Sequence, residues 1–538
     1  MTAVSSPAVE RTLYSFAHAH DRPARELADL LGGKGAGLAE MTGALGLPVP
    51  PGFTVPVDVC RTFRRTGWPE WLDAALTAAV AELGERMGRR LGDPSDPLLL
   101  SVRSGAARSM PGMLDTVLNL GLNEETTAAL AARSGSPAFA WDSYRRFLLL
   151  YATTVMGVPA DGLGSRAEIP AGDGAGMRAV TADLQRRITA ASGRPVPADP
   201  VQQLRESVEA VFRSWDGPRA VAYRRAESID DDLGTAVNVQ AMVFGNLCEH
   251  SGTGVVFTRD PSTGAAELYG DYLPQAQGED VVSGSVTPLP IAALADHLPE
   301  VDAQLRTVLR RLEVHYRDMC DVEFTVECNR LWVLQTRVGK RGPAAAVRIA
   351  ADLTRDPEIA LTPAEALARV SQELRGRARA TLTDTSGTGA SPPLAVGLGA
   401  SPGRVAGRAV FSCDAALDAE DDVVLVRPET SPHDVAGMSA SVGVVTLRGG
   451  LVSHAAVVAR GWGLPAVVGA GDLRLEHDAL VGPSGERVEE GTVITLDGTT
   501  GEVFVGDLTG AETTSGTVAD GDPLAAALAL FDEWEQLP

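Results

Sequence analysis

One run of weak structure formers, TLTDTSGTGASPP at 381–393, does most to limit what this chain can fold into. Thr, Ser, Gly and Pro with no apolar periodicity cannot bury enough surface to fix a conformation, so the run is expected to be a flexible linker. It divides 538 residues into a large N-terminal part and a smaller C-terminal part. The first part mixes helical segments (EWLDAALTAAVAEL, SYRRFLLLYATTVMG) with apolar strands (LLLSVRSGAARSMPGM, TAVNVQAMVFGN, GTGVVFTRDP). A hairpin, DVEFTVE–CNR–LWVLQTR, ends that β-rich stretch, and helices fill about 344–380. The second part begins at Leu394 with β-branched strands (VVLVRP, GVVTL) and closes with VITLDGTTGEVFVGD and an Ala/Leu helix. Residues 158–200, rich in Gly, Ala, Pro and Asp, look like an insertion or a loose helical subdomain. The expected class is α+β and α/β, multidomain: 1–343, a helical region and linker at 344–393, a β/α domain at 394–510, and a C-terminal helix at 511–538.

Charge removes several functions. Lys and Arg number 47 against 70 Asp and Glu, a net charge of −23. Such a body repels phosphate backbones and anionic lipid, so nucleic acid and membrane are not expected partners. An anionic ligand must be held by a few local cations. With no long apolar run and no leader pattern, the chain is expected to be cytoplasmic. Its five cysteines are scattered without a C-x-x-C pair, which argues against a disulfide framework and a zinc site.

In the hairpin, side chains two apart share a face. Asp321 and Glu323 therefore point one way, and Gln335 and Arg337 share a face of the partner strand. Two hard carboxylates and a guanidinium suit Mg²⁺-bound polyphosphate, although a solvated edge would carry the same residues. GGKGAG at 32–37 lets backbone N–H groups approach an anion beside Lys34 and is expected to lead into a helix from Ala36. It is not a Walker A loop, since Ala28 and Gly35 stand where that pattern needs Gly and Ser or Thr. SVRSGAARSMPG carries Arg103 from a strand into a loop of small residues, which an ordinary turn would also explain. In GGLVSHAAVVARGWGLP, a strand and two glycines lead to Ser453, a good N-cap, with His454 opening the helix. A phosphate on that imidazole would meet the positive helix end, which also disfavours protonation of the ring. The bland alternative is a histidine that only caps a helix.

Taken together, these segments resemble the pyruvate phosphate dikinase family, with its relative phosphoenolpyruvate synthase. The resemblance runs from GGKGAGLAEM through SVRSGAARSMPGMLDTVLNLGL, FRSWDGPRA, QAMVFGN, SGTGVVFTRDPSTG, QGEDVV and DVEFTVE to LQTR. It resumes at ASPGRVAGRAVF, VRPETSPHDVAGM, GGLVSHAAVVARG and LDGTTGEVFVGD, and so covers about 28–508 apart from the 158–200 stretch. It implies an ATP-grasp nucleotide-binding domain followed by a swivelling β/β/α phosphohistidine domain. It further implies that Lys34, Arg103 and Arg337 bind ATP phosphates, that Asp321, Glu323 and Gln335 organise Mg²⁺, and that Gln240 and Met242 lie on the strand beside adenine. His454 would take phosphate from ATP, with Arg337 and Arg103 assisting.

Three departures accompany the resemblance. The family's C-terminal pyruvate-binding barrel has no counterpart before Pro538, Val452 stands where the dikinase pattern has Thr, and GWGLPAVVGA is closer to the synthase. The expected function is an ATP- and phosphate-dependent phosphotransferase. Its acceptor would be pyruvate on a separate barrel protein or another molecule. The alternative is a nucleotide-binding regulatory or scaffold protein that has lost turnover.

Overall fold

The computed structural model describes residues 12–108, 110, 113–163, 174–282, 286, 288–383, 392–431, 434–476, 479–509 and 521–536. Most of the expected linker (384–391) and part of the 158–200 stretch (164–173) lie outside the described residues, as do Ser109, Pro111 and Gly112 of the Arg103 loop. Contacts gather the chain into two compact units, 1–248 with 332–335, and 249–331 with 336–538.

The first unit is built on a five-stranded sheet in the order β1 (Tyr14–Ser15), β2 (Gly52–Val55), β5 (Thr235–Ala241), β3 (Leu100–Ala106) and β4 (Thr116–Leu120). TAVNVQA is buried at every position because β5 is interior, with β2 on one side and β3 on the other. The helix Pro137–Thr154 starts where the Ser136 hydroxyl accepts the Phe139 N–H and Pro takes the first turn. Its Phe139, Tyr144, Phe147 and Tyr151 join the unit's main core. The glycine-rich segment differs from expectation. Helix α1 runs Ala28–Ala39 with a break at Gly32 (φ 68°, ψ 162°), so the later glycines lie inside it rather than ahead of it. Gly32 is required twice over: its φ is left-handed, and a Cβ there would sit 1.6 Å from the Gly105 carbonyl oxygen.

A further five-stranded sheet has the order β8 (Leu289–Pro290), β7 (Tyr269–Pro274), β6 (Gly252–Phe257), β9 (Cys320–Glu327) and β10 (Arg330–Val338). The predicted hairpin is β9–β10, in which β10 is an edge strand and β9 is interior. Beyond the helices α2 (Pro343–Arg355) and α3 (Gln372–Thr383), an eight-stranded sheet is assembled from segments between Ala395 and Val505. Its strands β11 (Val423–Arg427), β12 (Gly443–Thr446) and β13 (Ala466–Val468) run parallel, as connection through short helices requires. Helix α4 (His454–Trp462) is one such connection, between β12 and β13. The C-terminal helix α5 (Pro523–Trp534) packs Leu528 and Phe531 into a core shared with α2 and α3.

Cys248 and Cys328 are disulfide-bonded, which corrects the expectation from cysteine spacing. Neither lies in a spacing motif that signals a bond. Cys60, Cys320 and Cys413 are free.

Candidate active site

In the first unit, the two glycine-rich phosphate candidates meet. The N-terminal turn of the α1 segment after Gly32 lies on the end of β3, close enough that a Cβ on Gly105 would stand 3.6 Å from Cβ of Lys34. Arg103 pairs in register with Asn238 of β5 and Thr116 of β4, and both Lys34 and Arg103 are half-buried. Gln240 is buried, and its side-chain amide donates to the Pro50 carbonyl at 2.9 Å. The Met242 N–H donates to the Leu99 carbonyl at 2.9 Å. Gln335, on β10, is 9% exposed.

The second unit carries the acidic face. Arg337 Nε donates to Asp321 Oδ1 at 2.9 Å, and its Nη2 to Glu323 Oε1 at 3.4 Å. Asp321 is 8% exposed, and burial pushes its pKa up against the pull of Arg337. Strand register extends this face. Asp321 stands opposite Phe257, which stands opposite Tyr269; Glu323 stands opposite Val255, which stands opposite Asp271. Two cross-strand rows therefore share one surface, each ending in a carboxylate of β9.

Among the described residues, no three acidic, His or Cys side chains gather closely enough to hold a metal by themselves. Two carboxylates nevertheless fit Mg²⁺, which keeps water and commonly binds through one or two carboxylates and substrate phosphates.

The segment around His454 lies on that same face. The Asp271 carboxylate accepts the Val452 N–H at 3.0 Å, and burial raises the pKa of Asp271 to about 6. Val452 packs in one apolar cluster with Val255, Phe257 and Leu273. His454 begins α4, where the free N–H groups and dipole favour an anion. Its Nδ1 is 3.1 Å from the Thr430 hydroxyl. Burial lowers the imidazole pKa, with the nearby Asp434 opposing, which favours the neutral ring. Asp434 also shapes the Thr430 turn, accepting from the Ser431 N–H (2.8 Å), the Ser431 hydroxyl (2.9 Å) and Arg427 Nε (3.1 Å).

Ser453 holds the N-cap position but caps nothing. The turn closed by its own N–H on the Gly450 carbonyl leaves the hydroxyl buried without a partner among the described residues. That corrects the expected side-chain cap.

Thr430, Asp271 and Arg460 were not found from sequence. Arg460 could have been: with Ala455, Ala456 and Ala459 it completes the buried stripe of α4.

A family model described as the pyruvate phosphate dikinase AMP/ATP-binding domain matches residues 28–67 and 63–301. A second, described as the PEP-utilising enzyme mobile domain, matches 419–501. The chain belongs to the pyruvate phosphate dikinase family. It is 45% identical over 528 residues to pyruvate, phosphate dikinase 1 (chloroplastic) of Oryza sativa subsp. japonica, covering 94% of this chain and 54% of that one. To the pyruvate, phosphate dikinase of Clostridium symbiosum it is 44% identical over 499 residues, 89% of this chain and 56% of that one. The chain thus spans about half the length of the curated relatives it matches. The matched parts are the AMP/ATP-binding domain and the PEP-utilising mobile domain of that family. No described helix is long and apolar enough to cross a membrane.

Proposed function

We propose that this protein is a dikinase-type phosphotransferase that charges His454 from ATP. Its nucleotide-binding region is read as an ATP-grasp fold, and its PEP-utilising region as a swivelling phosphohistidine domain. Nε2 of His454 attacks the β-phosphorus of ATP; an N–P bond forms and the bond from phosphorus to the AMP oxygen breaks. Inorganic phosphate then takes the terminal phosphoryl as diphosphate and leaves phosphohistidine. The balance is ATP, phosphate and histidine giving AMP, diphosphate and phosphohistidine. An acceptor, either pyruvate on a separate barrel protein or another molecule, then receives the group.

The observation that carries this reading is the placement of His454 at a helix N-terminus, with Nδ1 on Thr430 and its loop against the Asp321–Glu323–Arg337 face. With Nδ1–H donating to Thr430, the lone pair sits on Nε2, the nucleophile. Backbone N–H groups of α4 receive the phosphoryl oxygens. Lys34 and Arg103 are read as phosphate ligands in the first unit and Arg337 as one in the second. Gln240 and Met242 are read as lying beside adenine. Asp321 and Glu323, with Gln335, would hold Mg²⁺, which when bound neutralises charge on the phosphate oxygens.

With Mg²⁺, phosphate and ATP labelled at the β-phosphate, the chain is expected to gain an acid-labile, base-stable label that His454→Ala lacks. Label retained in His454→Ala overturns the nucleophile. Label transferred from the γ- and not the β-phosphate replaces dikinase chemistry with that of a simple kinase.

A further inference from the structure

Arg460 is an expensive residue to place where it lies. It is 4% exposed, and among the described residues its hydrogen-bond partners are two neutral carbonyls, Ala400 at 2.9 Å from Nη1 and Leu451 at 2.7 Å from Nη2. Burying a guanidinium with no carboxylate directly on it is costly. The compensation comes from the opposing sheet. The guanidinium carbon lies 5.5 Å from the Phe257 ring centre and 5.9 Å from that of Tyr269. Those two rings form the cross-strand row that ends in Asp321. Burial lowers the Arg460 pKa, while Tyr269, Asp271, Asp260 and Asp321 act the other way.

Arg460 therefore has two jobs at one atom group. Through Leu451 it holds the loop that precedes His454. Through the aromatic pair it holds that loop against β6 and β7. A residue serving only the internal fold of the His454 domain would need neither aromatic ring.

We propose that Arg460 is the positioning residue that docks the phosphoryl-accepting loop, coupling the Leu451 carbonyl to the aromatic platform of Phe257 and Tyr269. This rests on His454 being the acceptor. Cation–π attraction favours the docked state and loss of water opposes it, so the net preference is small, as a domain that must leave again requires.

The test uses the full chain and keeps the sheet side separate from the folding of the His454 domain. Tyr269→Leu removes a ring, and Tyr269→Phe keeps it. Three readings are taken: charging from labelled ATP, chemical phosphorylation of His454 by phosphoramidate, and amide exchange across 450–460. Tyr269→Leu is expected to slow ATP charging ~3- to 30-fold, the range of a desolvated cation–π contact. Phosphoramidate labelling should stay at the wild-type level, because that small donor needs no docking, and Val452 amide exchange should accelerate. Tyr269→Phe, which loses only the long 3.5 Å bond from its hydroxyl to the Gly399 carbonyl, should stay within ~2-fold of wild type in all three. Arg460→Met combined with Tyr269→Leu should cost less than the product of the single effects.

Wild-type exchange and charging in Tyr269→Leu would overturn the proposal, as would strictly multiplicative effects in the double variant. If the wild-type chain takes no label from ATP, the proposed function fails, while amide exchange alone still decides whether Arg460 docks the loop.

Discussion

The Thr430 hydroxyl lies 3.1 Å from Nδ1 of His454, although 24 residues separate them. Parallel pairing of β11 with β12 brings the two loops together at the same end of the sheet. The hydroxyl can accept the Nδ1 proton and so leave Nε2 unprotonated. Thr430→Val removes that acceptor, at a cost of about 0.5–1.5 kcal/mol for one hydrogen bond, or ~2- to 13-fold in charging rate. Thr430→Ser should retain the wild-type rate. Nitrogen NMR of the ring is the check: Thr430→Val should populate the other neutral tautomer, and an unchanged tautomer ratio would remove Thr430 from the mechanism.

The buried imidazole also sets a pH dependence. The folded pKa of His454 is lowered from 6.5, chiefly by burial. The unfolded chain therefore binds the proton more readily than the folded one. The stability linked to this group is fully present above pH 6.5 and is lost as pH falls through the lower, folded value. Charging measured from pH 8 downward should stay level through pH 6.5 and fall only below it, as the nucleophile becomes protonated. An acid limb centred at or above 6.5 would contradict the burial.

On the acidic face, Arg337 contacts both Asp321 and Glu323. If this trio stabilises charge during phosphoryl transfer, Arg337→Ala and Glu323→Ala should each lower charging by ~10²–10³-fold, the usual cost of one electrostatic partner in a preorganised site. A surface ion pair would cost no more than about 1 kcal/mol. Melting temperature measured alongside separates the two, since a purely structural pair would shift melting and leave the rate nearly intact.

Alternation in DVEFTVE was enough to put Asp321 and Glu323 on one face, because a two-residue period is local. What covers that face was not legible, since a strand's own residues do not say which distant segment will lie on it. Val452, Asp271 and Arg460 meet there only through tertiary packing. Thr430 was hidden for the same reason: its closeness to His454 comes from strand order in the sheet. Arg460 was hidden less deeply, because the helical spacing of Ala455, Ala456 and Ala459 already marks the stripe it completes. Ser453 misled because serine before a helix is a strong capping signal. Here the Gly450 turn leaves its hydroxyl inside instead.

Gly450 gives the sharpest steric test of the docked loop. A Cβ there would stand 2.2 Å from Asp271 Oδ2 and 2.5 Å from Pro288 Cγ. Both atoms belong to the segment carrying the sheet rather than to the His454 domain, and Asp271 is already fixed by accepting the Val452 N–H at 3.0 Å. Gly450→Ala therefore cannot keep the loop, the carboxylate and the proline where they are. The Asp271 side chain must swing away, which also breaks its bond to Val452. The nearest atoms that Cβ would meet all belong to Asp271 and Pro288, so the effect should fall on docking and not on the ring chemistry. Charging from ATP should drop by at least ~5-fold, since overpacking in a close contact costs about 1–3 kcal/mol. Phosphoramidate should still label His454 at the wild-type rate. Substituting Asp271→Ala in the same chain should recover part of the loss by opening the space the methyl needs. If Gly450→Ala charges normally, the loop does not meet Asp271 in the accepting state; if phosphoramidate labelling falls in step with charging, the substitution has damaged the His454 domain itself.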